Sequence, residues 1–268
     1  MEEGPGRTVG VVSDGSALPG RMDFGRPELR LQAVEPLLRL HAMIIHELTD
    51  LPTQVLAVEP GRLRTAVDEL LGETGAVFLP YVKPAAIPVT PGLVTDWDTT
   101  AIALTAALLT TLSRAGRPPR NSRVLIAGAA RMPLLSQLVV ATGVSEVTTW
   151  NPADADAFPL HEVAADADAV IDLVGVAAED DPKVIMAGLP LYPLLALPGL
   201  VQAVAGAPAA TMAVDVHLAC SYELVMATAP DLRVPSALDR ALVGRIADAA
   251  TRAMIDMSST VDDVGDVG

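Results

Sequence analysis

The stretch VTPGLVTDWDTTAIALTAALLTTLSRAGRPPRNSRVLIAGAARMPLLSQLVVATGVSEVTTWN, from Val89 to Asn151, decides the fold of this 268-residue chain. Its apolar run Thr99–Ala115 predicts a long helix, which a Gly-Arg-Pro-Pro turn connects to a short strand, Arg123–Ala127. A second helix begins directly after Gly128-Ala129-Ala130, and a second strand follows at Glu146–Trp150. This strand–helix–strand order is typical of one half of a dinucleotide-binding domain.

The phosphate loop, predicted between Gly128 and Pro133, departs from a dinucleotide fingerprint at two of its three glycines. The fingerprint needs glycine for a tight turn, for close approach to the pyrophosphate, and for helix–strand packing. Ala130 adds a methyl group where phosphate approaches, and Pro133 removes an N–H, whereas Arg131 offers a cation. Asn151 stands where a carboxylate usually holds the ribose. Two hypotheses follow: a domain that holds no dinucleotide, or a weakened NAD(P) site formed by Gly128, Ala130, Arg131 and Asn151.

Outside this stretch, strands and helices also alternate, which predicts an α/β protein with parallel sheets. The predicted strands are Thr8–Ser13, Gln54–Val58, Ala76–Leu79 and Ala169–Val174, and the predicted helices are Leu29–Thr49, Arg62–Leu71, Leu195–Val204 and Ser236–Met257. We expect a small N-terminal α/β region over residues 1–95 and a Rossmann-like domain with C-terminal helices over residues 96–257. A disordered tail is expected over residues 258–268.

Composition limits the classes of partner. The net charge of −15 argues against nucleic acids and anionic membrane surfaces as partners. The single cysteine, Cys220, indicates a reducing compartment, so we expect a cytoplasmic protein. The apolar run Val184–Ala207 is interrupted by three prolines, which disfavours a membrane-spanning helix.

Three segments occur in the order and spacing of one enzyme family. They are VGVVSDGSALPGRMDFG (Val9–Gly25), VTDWDTTAIALTAALL (Val94–Leu109) and ALPG (Ala196–Gly199). They resemble, respectively, the glycine-rich segment, the paired-aspartate segment and the Ala-Phe-Pro-Gly segment of the malic enzymes, metal- and NAD(P)-dependent oxidative decarboxylases of malate. The resemblance covers nearly the whole chain and implies a homodimer. It also implies a cleft for a small organic acid.

The departures from the family pattern fall on its functional positions. The family's general base is the lysine of a Gly-Lys pair, and Pro36-Leu37 aligns with that pair. Pro80-Tyr81 aligns with the Glu-Asp metal pair, and Tyr192-Pro193 aligns with the malate-binding asparagines, so that Asp96 is the one metal ligand retained. The family's acid tyrosine lies upstream of the glycine-rich segment, so the resemblance is to an N-terminally trimmed relative. One carboxylate is too few for a catalytic Mg²⁺ or Mn²⁺ site. We therefore predict that the chain does not oxidatively decarboxylate malate.

Two functional hypotheses remain open. The first is a pseudoenzyme that serves as a binding, regulatory or scaffold protein. The second is a divergent oxidoreductase or decarboxylase/lyase that acts on a small organic acid in a refitted cleft around Tyr81, Lys83 and Asp96. Tyr81 and Lys83, two residues apart on an extended segment, would face one side and perform acid–base chemistry. A solvated loop lysine is the alternative reading of Lys83. Substrate contacts in the second hypothesis come from Asp14, Arg21, Asp23 and Tyr192.

Overall fold

The chain folds into two compact units, seen in a computed structural model that describes residues 8–18, 27–178, 180–187, 191–209 and 212–264. The first unit comprises Met1–Asp96, Leu197–Ala213 and Asp239–Gly268. The second unit comprises Trp97–Ala196 and Val214–Leu238. The sequence-based bounds, 1–95 and 96–257, are contiguous and therefore differ from this division in the last third of the chain.

The first unit contains a four-stranded parallel sheet with the strand order β2-β1-β3-β4. Its strands are β1 (Val9–Ser13), β2 (Thr53–Ala57), β3 (Ala76–Leu79) and β4 (Leu93–Thr95), and its N-terminal helices are α1 (Pro27–Thr49) and α2 (Leu63–Glu73). Every residue of β1 and β3 is buried, as expected for the central strands of a parallel sheet. Helix α2 buries Leu63, Ala66, Val67 and Leu70, whose spacing places them on one face of the helix.

The second unit contains another four-stranded parallel sheet, with the order β6-β5-β7-β8. Its strands are β5 (Arg123–Ala127), β6 (Glu146–Trp150), β7 (Ala169–Asp172) and β8 (Val184–Met186). The helices in this part of the chain are α3 (Asp96–Arg114), α4 (Pro133–Ala141), α5 (Leu160–Ala165) and α7 (Val214–Ala227). Helix α3 is the most deeply buried of these, because its small and branched apolar side chains are covered along nearly its whole length.

Two further helices complete the fold, α6 (Tyr192–Gly206) and α8 (Arg240–Val264). Gly199 of α6 permits close packing against α8, because a Cβ atom at this position would lie 2.6 Å from the carbonyl oxygen of Val243. Arg240 of α8 donates hydrogen bonds to the Asp50 carboxylate and to the Glu47 carbonyl near the end of α1. These contacts place α8 with the first unit.

The predicted α/β class with parallel, Rossmann-like sheets is confirmed. Strands β4 and β8 were not predicted. Helix α8 continues to Val264, beyond the predicted end at Met257, and residues 265–268 lie outside the described residues. No helix within the described parts of the chain combines the length and apolarity needed to cross a membrane.

Candidate functional site

Each sheet has one switch point, where the strand order reverses direction: between β1 and β3 in the first unit, and between β5 and β7 in the second. In open α/β sheets, ligands bind beyond the carboxyl ends of the strands at such points. We call the loops 14–18 and 80–83, which follow β1 and β3, the first crevice. The loops 128–132 and 173–177, which follow β5 and β7, form the second crevice.

The two loops of the first crevice are joined by hydrogen bonds. The backbone N–H of Ala17 donates to the carbonyl oxygen of Tyr81 at 2.8 Å. The backbone N–H of Lys83 donates to the Ser16 hydroxyl oxygen at 3.0 Å. These two bonds fix the position of Tyr81 and Lys83 relative to the loop that begins at Asp14.

Two carboxylates hold the backbone of the first crevice. Asp14, only 1% exposed, accepts the Ser16 N–H at 2.8 Å through Oδ1. Asp96, at the start of α3, accepts the Tyr81 N–H at 2.9 Å through Oδ2. The carboxyl ends of β1, β3 and β4 thus bring together Asp14, Tyr81 and Asp96, three of the residues singled out in the sequence.

Tyr81 has a left-handed backbone, with φ at 58°. This conformation is costly for a residue other than glycine and is typical of functional or tightly constrained positions. Burial raises the pKa of the Tyr81 phenol, and the negative charge of Asp96 raises it further. The phenol therefore stays protonated at neutral pH and can donate a proton but is a poor base.

Lys83 does not share the environment of Tyr81. The prediction that both lie on one extended segment is wrong at Tyr81, whose left-handed backbone interrupts the alternation of side chains. Tyr81 is partly buried, whereas Lys83 is exposed. The structure therefore gives Lys83 the solvated setting that was the alternative reading of this residue.

His41 of α1 is a crevice residue that sequence reasoning did not place there. Its ring lies edge-on to the ring of Tyr81, with centroids 5.6 Å apart, and 5.4 Å from the ring of Phe78. Burial lowers the pKa of His41, although a hydrogen bond at 2.8 Å to the Leu37 carbonyl raises it in part. The imidazole is therefore held in its neutral form. The sequence signal for a buried His41 was its spacing, four residues after Leu37 on the buried face of the helix.

Most backbone N–H groups of the phosphate loop in the second crevice donate to other protein atoms. Four of its N–H groups have partners. Two bond to the end of β6 and the residue after it: Gly128 donates to the Trp150 carbonyl at 2.6 Å, and Ala130 donates to the Asn151 side-chain oxygen at 3.1 Å. The other two bond within the loop: Arg131 donates to the Gly128 carbonyl at 2.8 Å, and Met132 donates to the Ala129 carbonyl at 3.1 Å. A pyrophosphate needs such groups unpaired and directed toward it. Asn151, the predicted ribose ligand, instead holds the loop. The Arg131 guanidinium donates to the Leu173 carbonyl at 3.0 Å.

A valine occupies the space beside the first glycine of this loop. Gly128 has a φ of 86°, and a Cβ atom at this position would lie 2.6 Å from Cγ1 of Val174. Asp172, only 1% exposed, fixes the valine-bearing loop by accepting four backbone N–H groups. These are the N–H groups of Val174, Gly175, Val176 and Ala177, at 2.6–2.8 Å. The described loop therefore does not fit a dinucleotide pyrophosphate, and sequence reasoning did not identify Asp172.

The remaining predicted site residues that the structure describes do not form a metal cage. Within the described ranges, no group of three or more His, Cys, Asp or Glu residues is placed to hold a metal ion. Tyr192, on the first turn of α6, is only 2% exposed, and burial raises its pKa although the charge of Arg233 acts to lower it. Arg21 and Asp23 lie outside the described residues. Among the described residues, Asp96 therefore belongs to no group of three or more such side chains, which a catalytic divalent cation requires.

Comparisons with known proteins identify the fold. No family model and no curated protein sequence matches the chain. The structure is similar to an NAD-dependent malic enzyme from Thermotoga maritima, with a TM-score of 0.71 and 16% identity over 91% of this chain and 84% of that one. It is also similar to a malic enzyme from Pyrococcus horikoshii, with a TM-score of 0.73 and 16% identity over 95% of this chain and 77% of that one. For a malic enzyme from Entamoeba histolytica, the TM-score is 0.74, with 14% identity over 95% of this chain and 70% of that one. Over more than nine-tenths of its length, the chain has a malic-enzyme-like fold.

Proposed function

We propose that this protein is a malic-enzyme-like homologue that has lost oxidative decarboxylation of malate and acts as a non-catalytic binding, regulatory or scaffold protein. The observation that carries the proposal is the second crevice, where four N–H groups of the phosphate loop have protein partners and Val174 lies against Gly128. Hydride transfer needs a nicotinamide held by its pyrophosphate at such a loop. Four N–H groups of the described loop already have protein partners, and Val174 occupies the space beside Gly128.

The residues aligned with the family's catalytic groups also support the proposal. Pro36 and Leu37 lie within α1, and neither side chain can accept the proton of a substrate hydroxyl. Asp96 already accepts the backbone N–H of Tyr81. Because the described residues contain no group of three or more His, Cys, Asp or Glu placed to hold a metal ion, they supply no cage at Asp96 for a metal ion able to polarise a 2-oxo acid.

The test is a titration of the purified protein with NADH and NADPH, followed by tryptophan quenching. Trp150 is the reporter, because it ends β6 next to Asn151, and a Trp97→Phe variant leaves it as the single tryptophan. We expect no saturable quenching up to millimolar cofactor and no NAD(P)H production from malate with Mg²⁺ or Mn²⁺. Saturable binding in the micromolar range, or metal-dependent turnover of malate, would contradict the proposal.

One observation favours a second candidate function, a divergent oxidoreductase or decarboxylase/lyase acting on a small organic acid in the first crevice. Tyr81 has a strained backbone and a protonated phenol next to the buried carboxylate loop of Asp14. In this alternative, Tyr81 donates a proton, and Lys83 binds the substrate carboxylate.

A panel of hydroxy and 2-oxo acids, assayed for CO₂ release or product formation without added nicotinamide, tests this alternative. If it holds, Tyr81→Phe removes the activity while Asp68→Asn, an exposed control on α2, leaves it unchanged. An activity that survives Tyr81→Phe would exclude the proposed role of the phenol.

The proposal includes a cytoplasmic homodimer, as the resemblance to malic enzymes implies. Sedimentation equilibrium of the purified chain measures its assembly directly. A mass of twice 27.8 kDa is expected, and a concentration-independent monomer would contradict this part of the proposal.

A further inference from the structure

A hollow of about 330 Å³ lies in the second unit, at the amino ends of the strands. Asp168 directly precedes β7, and Pro182 and Lys183 directly precede β8, and all three line it. The second crevice lies beyond the carboxyl ends of the same strands, so the hollow is at the opposite edge of the sheet. Two arginines also line it, Arg114 from the end of α3 and Arg233 from the segment between α7 and α8.

Both guanidinium groups are held in place by uncharged partners. Nε and Nη2 of Arg114 donate to the Pro230 carbonyl oxygen at 2.8 and 2.7 Å. Nη2 of Arg233 donates to the Pro182 carbonyl at 2.8 Å, and its Nη1 donates to the Val184 carbonyl. A guanidinium carries five N–H donors, so each group keeps donors for a further acceptor. Carbonyl partners orient the two cations without neutralising their charge.

The positive charge of the hollow exceeds its negative charge. Arg114 and Arg233 form no ion pair within 4.0 Å with any described carboxylate. Lys183 also lines the hollow, but its Nζ donates at 2.8 Å to the Ala164 carbonyl, which lies outside the lining, so the two guanidinium groups are its main cations. The one carboxylate, Asp168, accepts the Arg123 N–H at 2.8 Å and faces Arg117 at 3.7 Å. In a chain with a net charge of −15, this concentration of uncompensated cations indicates an anionic ligand.

We propose that the hollow binds a small oxyanion with two negative charges, a phosphate group or a compact dicarboxylate. Guanidinium groups match the oxygen pairs of both anions, and fixed guanidinium groups lose little conformational freedom on binding. The volume is at the lower end of ligand pockets, which suits a small anion. The bound anion links the end of α3, the β7–β8 connection and the α7–α8 segment. The site is independent of both crevices and of the function proposed above.

Calorimetric titration with inorganic phosphate and with succinate, at constant ionic strength set by NaCl, tests the proposal on the full-length protein. We expect saturable binding of one anion per chain. Arg114→Gln should weaken it by about tenfold or more, because a charge-assisted hydrogen-bond partner is lost. The matched control is Arg120→Gln, which removes the same charge from an exposed arginine outside the hollow and should bind like the wild type. The tighter of the two anions identifies the ligand group.

The absence of saturable binding to the wild-type protein up to about 50 mM of either anion would overturn the proposal, since a weaker site would not exceed non-specific ion binding. Equal weakening by Arg114→Gln and Arg120→Gln would also overturn it, because net charge alone would then explain the binding. Arg233→Gln gives a second check on the same site. If that variant fails to fold, the wild-type and Arg114→Gln titrations decide, because Arg114 is exposed and its replacement leaves the core intact.

Discussion

The two crevices occupy equivalent positions in sheets of the same strand order, yet their contents differ. The first presents polar groups, with the Asp14 and Asp96 carboxylates and the Tyr81 phenol beyond the strand ends. In the second, Val174 lies against Gly128, and Asn151 pairs with the Ala130 N–H. The same strand order thus positions polar side chains in one unit and a valine beside a glycine in the other. Fold and strand order are therefore a weak guide to what either crevice does.

The largest effect is expected from a methyl group added inside the closed crevice. Gly128→Ala places a Cβ atom 2.6 Å from Val174 at a φ of 86°. Left-handed strain and overpacking together should reduce the free energy of unfolding by about 3 kcal/mol. Gly143→Ala is the matched control, because Gly143 has a φ of 80° but no atom within 4 Å of the added Cβ, so a loss of about 1 kcal/mol is expected. Urea unfolding measures both, and equal losses would mean that Val174 does not fill the crevice.

A somewhat smaller effect is expected from the carboxylate that holds the loop of Val174. Asp172→Asn replaces one of two accepting oxygens with an NH₂ group that faces backbone donors at 2.6–2.8 Å. The unfolding free energy should fall by about 2 kcal/mol, and hydrogen exchange should accelerate over residues 174–177. Asp154→Asn is the control, because Asp154 accepts a single N–H at an exposed cap, and about 0.5 kcal/mol is expected. Unchanged exchange at residues 174–177 would show that Asp172 is dispensable there.

The contrast between the crevices also shows which features the sequence carries. Strands β5 and β6 were predicted at their observed bounds because each has four β-branched, apolar or aromatic residues after a charged first residue, next to a turn signal. Strands β4 and β8 have three residues each, too few to produce a pattern. Helix α7 was not among the predicted helices, because its apolar residues are spread around the helix and lack the one-sided period that marks a surface helix.

The site was less predictable than the fold, for a physical reason. The departures of Ala130 and Pro133 from the fingerprint were visible in the chain, and they pointed to an altered phosphate loop. The contact that closes the loop comes from Val174, which is distant in sequence and becomes a neighbour only through the pairing of β5 with β7. The left-handed backbone of Tyr81 likewise has no local signal, since no glycine or asparagine marks it.

Asn151→Ala, which removes the acceptor of the Ala130 N–H, should lower the free energy of unfolding by about 1 kcal/mol, less than Asp172→Asn. The variant separates the two causes of closure, because the loop donor becomes available while Val174 stays in place. We expect that NADH still does not bind, as measured by Trp150 quenching. Asn121→Ala, in an exposed turn of the same unit, should change neither stability nor binding. Micromolar NADH binding by Asn151→Ala alone would show that the captured donor, and not the valine, closes the crevice.

The smallest effect concerns pH and belongs to the first crevice. Burial lowers the pKa of His41 in the folded chain below its ordinary value of about 6.5, so the unfolded chain takes up the proton first as pH falls. The contribution of the neutral imidazole to stability is therefore complete above that value and is lost as pH falls from about 7.5 toward 5.5. One proton limits the slope to about 1.4 kcal/mol per pH unit, and partial compensation by the Leu37 carbonyl keeps the change below that limit. His41→Gln should flatten the dependence of the unfolding free energy on pH over this range, whereas His46→Gln, on an exposed position of the same helix, should not. An identical slope in the wild type and in His41→Gln would mean that the imidazole titrates freely, and the first crevice would then be as open to water at His41 as it is at Lys83.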